Sequence, residues 1–285
     1  MRIKSKIRIK DSLQVVFSLL TVFIFSGCEK VINVDLNEAA PRIVIEGLIN
    51  DRPGPYTIII SKSGSYFNQP VLPPVTGAEV IIADNTGITD TLNETKPGIY
   101  ITSRTRGIPG RTYTLKVLSD NIEYAGSSTM HSHVSIDSLV LVKSESDHFD
   151  FGGNTQNESH FEIHCFFVDL GEKNFYRVEV YINDTINSES YRLYDDQYNN
   201  GMETELRVSR AEAGNTYRVE LLSLDKQTFE YYRSLEDLLH TNPIFGSTPA
   251  NPTNNLNNGA LGYFGACALS SRSISITNSM LKNVK

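Results

Sequence analysis

The feature that most limits what this chain can fold into is its punctuation. From Arg42 onward, short apolar and β-branched runs are separated at close intervals by clusters of Gly, Pro, Asn and Asp. Runs of about four to eight residues between turn signals predict a mainly β, sandwich-like fold rather than a helical one. The first run is Arg42 to Ile49, and Asp51-Arg52-Pro53-Gly54-Pro55 turns the chain into Tyr56 to Ser61. Ala78 to Ala83 is closed by Asp84-Asn85-Thr86-Gly87, a hairpin signal. Thr89 to Leu92, Gly98 to Ile101, Thr112 to Val117 and Glu123 to Ser127 complete the set. Seven or so strands in about 90 residues is the size of an immunoglobulin-like or transthyretin-like sandwich, and residues 42–132 are read as one.

A second β domain is expected over residues 133–285. Ile136 to Lys143 and Phe161 to Val168 read as strands joined by a polar segment, Ser144 to Ser159. Phe175 to Ile182, Glu205 to Val208 and Thr216 to Leu224 continue the pattern, the last with Tyr217, Val219 and Leu221 on one face. The period then changes. Phe229, Tyr232, Leu235, Leu238 and Leu239 recur at helical spacing over 225–240, with Asp225 as N-cap and Asn242-Pro243 as stop. The Pro- and Asn-rich stretch to Asn258 reads as an extended loop. It leads into a segment with Gly259, Gly262 and Gly265, which suits a backbone packed closely on a neighbour. Ser273 to Ile276 is a last short strand.

The start of the chain reads as an address. Arg2, Lys4, Lys6, Arg8 and Lys10 precede a mostly apolar stretch from Leu13 to Phe25, too short to span a bilayer comfortably but suited to a signal peptide. It ends in Phe25-Ser26-Gly27-Cys28, which resembles the lipobox of bacterial lipoproteins, although Phe25 stands where Leu is usual. Residues 1–27 are therefore read as a signal peptide, Cys28 as the lipidated residue and 28–41 as a tether. The whole chain carries 26 Lys and Arg against 33 Asp and Glu. Residues 1–27 hold five of the basic and one of the acidic residues, leaving 21 and 32 and a net charge of −11 in the mature chain. That balance argues against nucleic acid as a partner and against further contact with an anionic membrane surface. A lipid-anchored outer-membrane location is expected, at the cell surface in preference to the periplasmic face.

Residues that carry chemistry are scarce. No nucleophile elbow, phosphate loop or dinucleotide fingerprint is present, so neither enzyme activity nor a cofactor is expected. His131 and His133 read as exposed linker residues. His160 and His164, four apart on a strand, lie about 13 Å apart along it, too far for one metal. Asp195, Asp196 and Glu203 form a weak calcium candidate around Asn200-Gly201, where a solvated hairpin is the preferred reading. Tyr191, Tyr194, Tyr198, Tyr231 and Tyr232 are candidates for a sticky amphipathic surface. Cys165 and Cys267 read as small buried hydrophobes, with a disulfide between them as the lesser alternative.

Several segments carry a resemblance. They are Cys28-Glu29-Lys30-Val31-Ile32, Val44 to Asp51, Gly77-Ala78-Glu79-Val80, Asn174 to Val178, Asp195 to Gly201 and, most specific, Asn255-Leu256-Asn257-Asn258-Gly259-Ala260-Leu261-Gly262-Tyr263-Phe264-Gly265-Ala266. With these the mature chain resembles an uncharacterised family of Bacteroidetes outer-membrane lipoproteins, often encoded beside starch-utilisation-type TonB-dependent receptors. Cys267 stands where a larger residue is expected. Asp90-Thr91-Leu92, Asp137-Ser138-Leu139 and Asp184-Thr185-Ile186 resemble the O-glycosylation acceptor of exported Bacteroidetes proteins, which makes Thr91, Ser138 and Thr185 candidate sites. The resemblance implies a non-enzymatic accessory of a TonB-dependent uptake system that docks on the transporter and helps capture or gate its ligand. A stand-alone cell-surface adhesin for glycan or protein is the alternative, and a hydrolase with scattered carboxylates a third.

Overall fold

The computed structural model describes residues 40–64, 72–149, 155–188, 191–197, 200–240 and 251–283. The expected signal peptide, Cys28 and nearly all of the tether lie outside the described residues. Pro41–Lys285 forms one compact unit.

Sixteen strands and two helices are described, so the protein is mainly β. A nine-stranded sheet is its spine. Along it run β12 (Thr185–Ile186), β11 (Phe175–Ile182), β15 (Thr216–Leu224), β16 (Leu261–Ser275), β1 (Ile43–Asn50), β2 (Thr57–Lys62), β6 (Ile99–Ile101) and β5 (Asn93–Lys96), with β13 (Arg192–Asp195) also on β11. Two smaller sheets lie against it. One orders β4 (Thr89–Thr91), β3 (Glu79–Asp84), β7 (Thr112–Ser119) and β8 (Ile122–Thr129); the other orders β14 (Glu203–Arg210), β10 (Thr155–Val168) and β9 (Ile136–Phe149).

Period-two alternation builds each sandwich. Ile43, Ile45, Ile58, Ile60 and Tyr100 of the large sheet meet Val80, Ile82, Tyr113, Leu115 and Val117 in the first core. Tyr176, Val178, Val180, Tyr217, Val219 and Leu221 meet Ile163, Cys165, Phe167 and Val208 in the second. The two cores do not divide at residue 132: Leu256, Ala260, Phe264, Ala266 and Ala268 join the first of them, and the large sheet runs through both. β16 pairs with β15 on one side and runs parallel to β1 on the other, from Val44 opposite Leu261 to Asn50 opposite Cys267.

The opposite face of the large sheet is covered by α1 (Lys226–His240). Phe229, Tyr231 and Tyr232 pack on Phe175, Leu222, Leu224, Cys267 and Leu269. The apolar stripe expected to bury Leu239 leaves it 75% exposed instead. Asp225 caps the helix as its position predicts: Oδ1 accepts the Thr228 N–H at 2.7 Å. Its Oδ2 accepts the Ser128 hydroxyl and the Thr129 N–H, and Ser128 Oγ in turn accepts the Ala266 N–H at 2.8 Å. One carboxylate therefore ties helix, β8 and β16 together. Asp225→Ala is expected to lower stability by about 2–4 kcal/mol, a cap plus a buried hydroxyl left without its acceptor. A urea midpoint within error of the parent would show that the cap is dispensable.

Three departures from the sequence reading have physical causes. Ser144 to Ser159, expected as a polar connection, largely extends the β9–β10 ladder, from Ser144 opposite His160 to Phe149 opposite Thr155. Backbone pairing carries this arm, and a Ser-, Glu- and Asn-rich run has no apolar alternation to announce it. The glycine segment and the last short strand are one continuous β16. The short strands β5, β12 and β13 and the terminal helix α2 (Asn278–Asn283) gave too little pattern to be read. The described part of the Pro- and Asn-rich loop, residues 251–260, is a loop as expected and is tied along β8. Asn257 exchanges backbone and side-chain bonds with Ala125, while Asn255 and Asn258 donate to the Ser127 and Glu123 carbonyls. These amides occupy the outer edge of β8, which would otherwise present unpaired backbone.

Candidate functional site

A groove of about 480 Å³ opens between β11, residues 186–188, Tyr191, Arg192 and α1. Its floor is the Arg177–Glu179 ion pair on β11, and its walls include Ile186, Tyr191, Tyr232, Leu235 and Leu239. The Arg177 guanidinium lies between two rings, its central carbon 4.2 Å from the Tyr232 centroid and 4.8 Å from that of Tyr191. Burial opposes the charge of Arg177, but Tyr232, Glu179 and Tyr191 outweigh it and raise its pKa. Burial likewise pushes Tyr231 up to about 12 and Tyr232 well above its ordinary value. The phenols stay neutral and offer ring faces to a cation.

The tyrosines foreseen as a surface divide between two places. Tyr191, Tyr231 and Tyr232 converge with Tyr263, whose ring is 4.5 Å from Tyr231 and whose hydroxyl accepts from Tyr232. Tyr231 and Tyr232 are buried and brace α1 on the sheet, and of the two only Tyr232 lines the groove. Tyr194 instead packs beside Tyr176 and Phe167 in the second core. Tyr198 lies outside the described residues. Arg177 was not singled out from sequence, because an arginine on an alternating strand carries no local mark of the rings that will enclose it. One feature of it stands out chemically. Its Nε is buried and has no hydrogen-bond partner, a state native proteins seldom leave unexplained.

The histidine geometry corrects the reading by spacing. His160 and His164 do flank one point on β10, because both reach inward to the carboxylate between them. His160 Nε2 lies 2.6 Å and His164 Nε2 3.4 Å from Glu162 oxygens, and Arg207 Nε 3.1 Å. Glu205 Oε1 lies 2.6 Å from His164 Nδ1. Burial would raise the Glu162 pKa, but the two imidazoles and Arg207 outweigh it and hold the group below its ordinary value. Backbone distance misled because long side chains lean along a strand. His133 Nδ1 contacts Asp51 at 3.0 Å, and the His131 side chain is half-buried.

Among the calcium candidates, Asp195 ends β13, Glu203 opens β14 and is exposed, and Asp196 is buried with its carboxylate accepting the Asn174 N–H at 2.8 Å. Among the described residues, no group of three or more His, Cys, Asp or Glu is disposed to hold a metal ion. Thr91 and Thr185 are exposed, the latter just after a turn in which Asn183 and Asp184 have φ of 49° and 64°. Ser138 is half-buried and paired with Phe166 inside β9. Asp90, beside Thr91, is committed elsewhere: it accepts the N–H groups of Ser103, Arg104 and Thr105 and the hydroxyls of Ser103 and Thr105. Burial works against its charge, yet these bonds bring its pKa down to about 2. Cys165 and Cys267 are free thiols in different cores, and burial pushes the Cys165 thiol up to about 12.

Among the described residues, no helix is long and apolar enough to cross a membrane. No curated protein matches the chain. The family model described as a domain of unknown function, DUF4249, matches residues 29–273, from just after Cys28 into β16 and across the groove and all three sheets. The chain belongs to the DUF4249 family.

Proposed function

We propose that this chain is a lipid-anchored outer-membrane protein that serves a TonB-dependent nutrient transporter, holding ligand in the groove beneath α1 and docking on the barrel. The observation that carries the ligand-handling role is the Arg177 guanidinium, set against the Tyr191 and Tyr232 rings at the floor of an aromatic-walled groove. The ion pair on the floor offers charge to a ligand's polar groups, and the tyrosine rings supply amphipathic contact. The size of the groove suits a small molecule. The order of basic region, apolar stretch and Cys28 supports the anchor, as does the family resemblance for a Bacteroidetes outer membrane. Tethering beside a barrel raises the effective concentration of the module there with no strong contact needed. No step of this role calls for catalysis or a cofactor.

The test is recovery of the native, lipidated protein from membranes in mild detergent. A co-purifying outer-membrane barrel is the expected result. Repeated recovery as a lone monomer, with the protein itself retaining polysaccharide or host protein, would favour the stand-alone adhesin.

A further inference from the structure

A second cavity, of about 370 Å³, lies between β14, Ile182 at the end of β11, Tyr217 on β15 and Arg192 at the start of β13. Its lining differs in kind from that of the Arg177 groove. Arg192, Arg207 and Arg210 stand around it against one carboxylate, Glu212. That sign is opposite to the net charge of −7 on the chain as a whole.

An irregularity in β14 puts two of these arginines there. Pairing with β10 shifts between Ile163 and His164: Ser209 faces Ile163, Arg207 faces His164, and Val208 is the extra residue. In a regular strand, positions 207 and 210 would fall on opposite faces. The bulge instead buries both Val208 and Ser209 and leaves both Arg207 and Arg210 exposed. Bulges recur where a strand must re-aim a side chain. Arg207 is held from behind, since its Nε is paired with Glu162, itself fixed by His160 and His164. Among the described residues its two terminal nitrogens have no acceptor. Arg210 makes no ion pair among the described residues.

From this geometry we infer that the cleft between β13 and β14 is an oxyanion site, taking the carboxylate or sulfate of a sugar-sized ligand. Guanidinium groups present paired donors that match such oxyanions, which an ammonium cannot do. Asn215 and Ser209 on the same lining supply neutral polar contact for the uncharged part of the ligand. The volume falls within the range of small-molecule sites, about 300–1,000 Å³. Arg192 lines this cleft and the Arg177 groove alike, yet the inference stands on β14 and does not depend on a transporter.

Titration calorimetry on the full lipidated chain in detergent tests it, with sodium sulfate, sodium glucuronate and glucose added at constant ionic strength. Saturable binding of sulfate or glucuronate is expected, with none of glucose. Arg207→Gln and Arg210→Gln should each weaken it about tenfold or more. A response to sulfate alone assigns a sulfate ester, and one to glucuronate alone a uronate carboxylate. Arg210→Gln should keep the parent melting temperature, whereas Arg207→Gln also takes a partner from the buried Glu162 and should lower it modestly; both are measured alongside. No saturable binding of either anion, equal binding of glucose, or unchanged affinity in both folded variants overturns the inference.

Discussion

Replacing Gly262 by alanine is expected to cost about 3–5 kcal/mol and to lower the melting temperature by about 10 °C. Two independent effects add at this residue. Its φ is +90°, a region where a side chain is strained whatever the surrounding space. A Cβ there would also lie 2.1 Å from the Ile45 carbonyl oxygen and 2.9 Å from its carbon. These are backbone atoms of the parallel partner, and Ile45 is fully buried in the first core. No rotamer change relieves the contact, so β1 and β16 must separate at the pair that carries the large sheet from one sandwich to the other. Gly171→Ala is the control, since a Cβ there meets nothing within 4 Å and its φ is not positive; its effect should stay within about 0.5 kcal/mol. Urea melts followed by circular dichroism read both. Equal midpoints for Gly262→Ala and the parent would mean that the two strands do not approach as described.

How far the sequence speaks for itself is clear at this same segment. Three glycines in close succession foretold a tight approach, and the tight approach is there. What they could not foretell was the partner, since a parallel pairing of residues about 220 apart leaves no local trace. The alternating strands β1, β7, β11 and β15 were legible because each packs one face on a core, and the period change after Leu224 marked α1 for the same reason. The β9–β10 arm was not, because its ladder is held by backbone groups every residue possesses. The groove was half legible. Its tyrosines could be picked out, but Arg177 depends on β11, α1 and residue 191 meeting in space. The same holds for Glu162, whose role between two imidazoles is set by side-chain reach rather than by spacing. The bulge at Val208 was not read from the sequence: Glu205 to Val208 reads as an ordinary strand, and only the shift in pairing against β10 shows otherwise.

The largest change of all should follow from one atom at the other end of the chain. In Cys28→Ala the protein is expected to move from the membrane pellet to the soluble fraction. Acyl chains stabilise attachment by about 0.8 kcal/mol per buried methylene, and one chain alone holds a protein only marginally, whereas two or more make the anchor durable. Two observations bear on whether anything else could hold it. The mature chain carries 32 acidic and 21 basic residues, so an anionic surface repels it. Among the described residues, no helix is suited to spanning a bilayer. If the proposed anchor holds, attachment rests on the sulfur of Cys28, and labelled palmitate should enter the parent and not the variant. Because Phe25 stands where the peptidase usually meets leucine, Phe25→Leu is expected to mature at least as fast as the parent. Should both parent and Cys28→Ala pellet alike and neither take up label, the chain would be held by something other than lipid, and a transporter-tethered role would lose its physical basis.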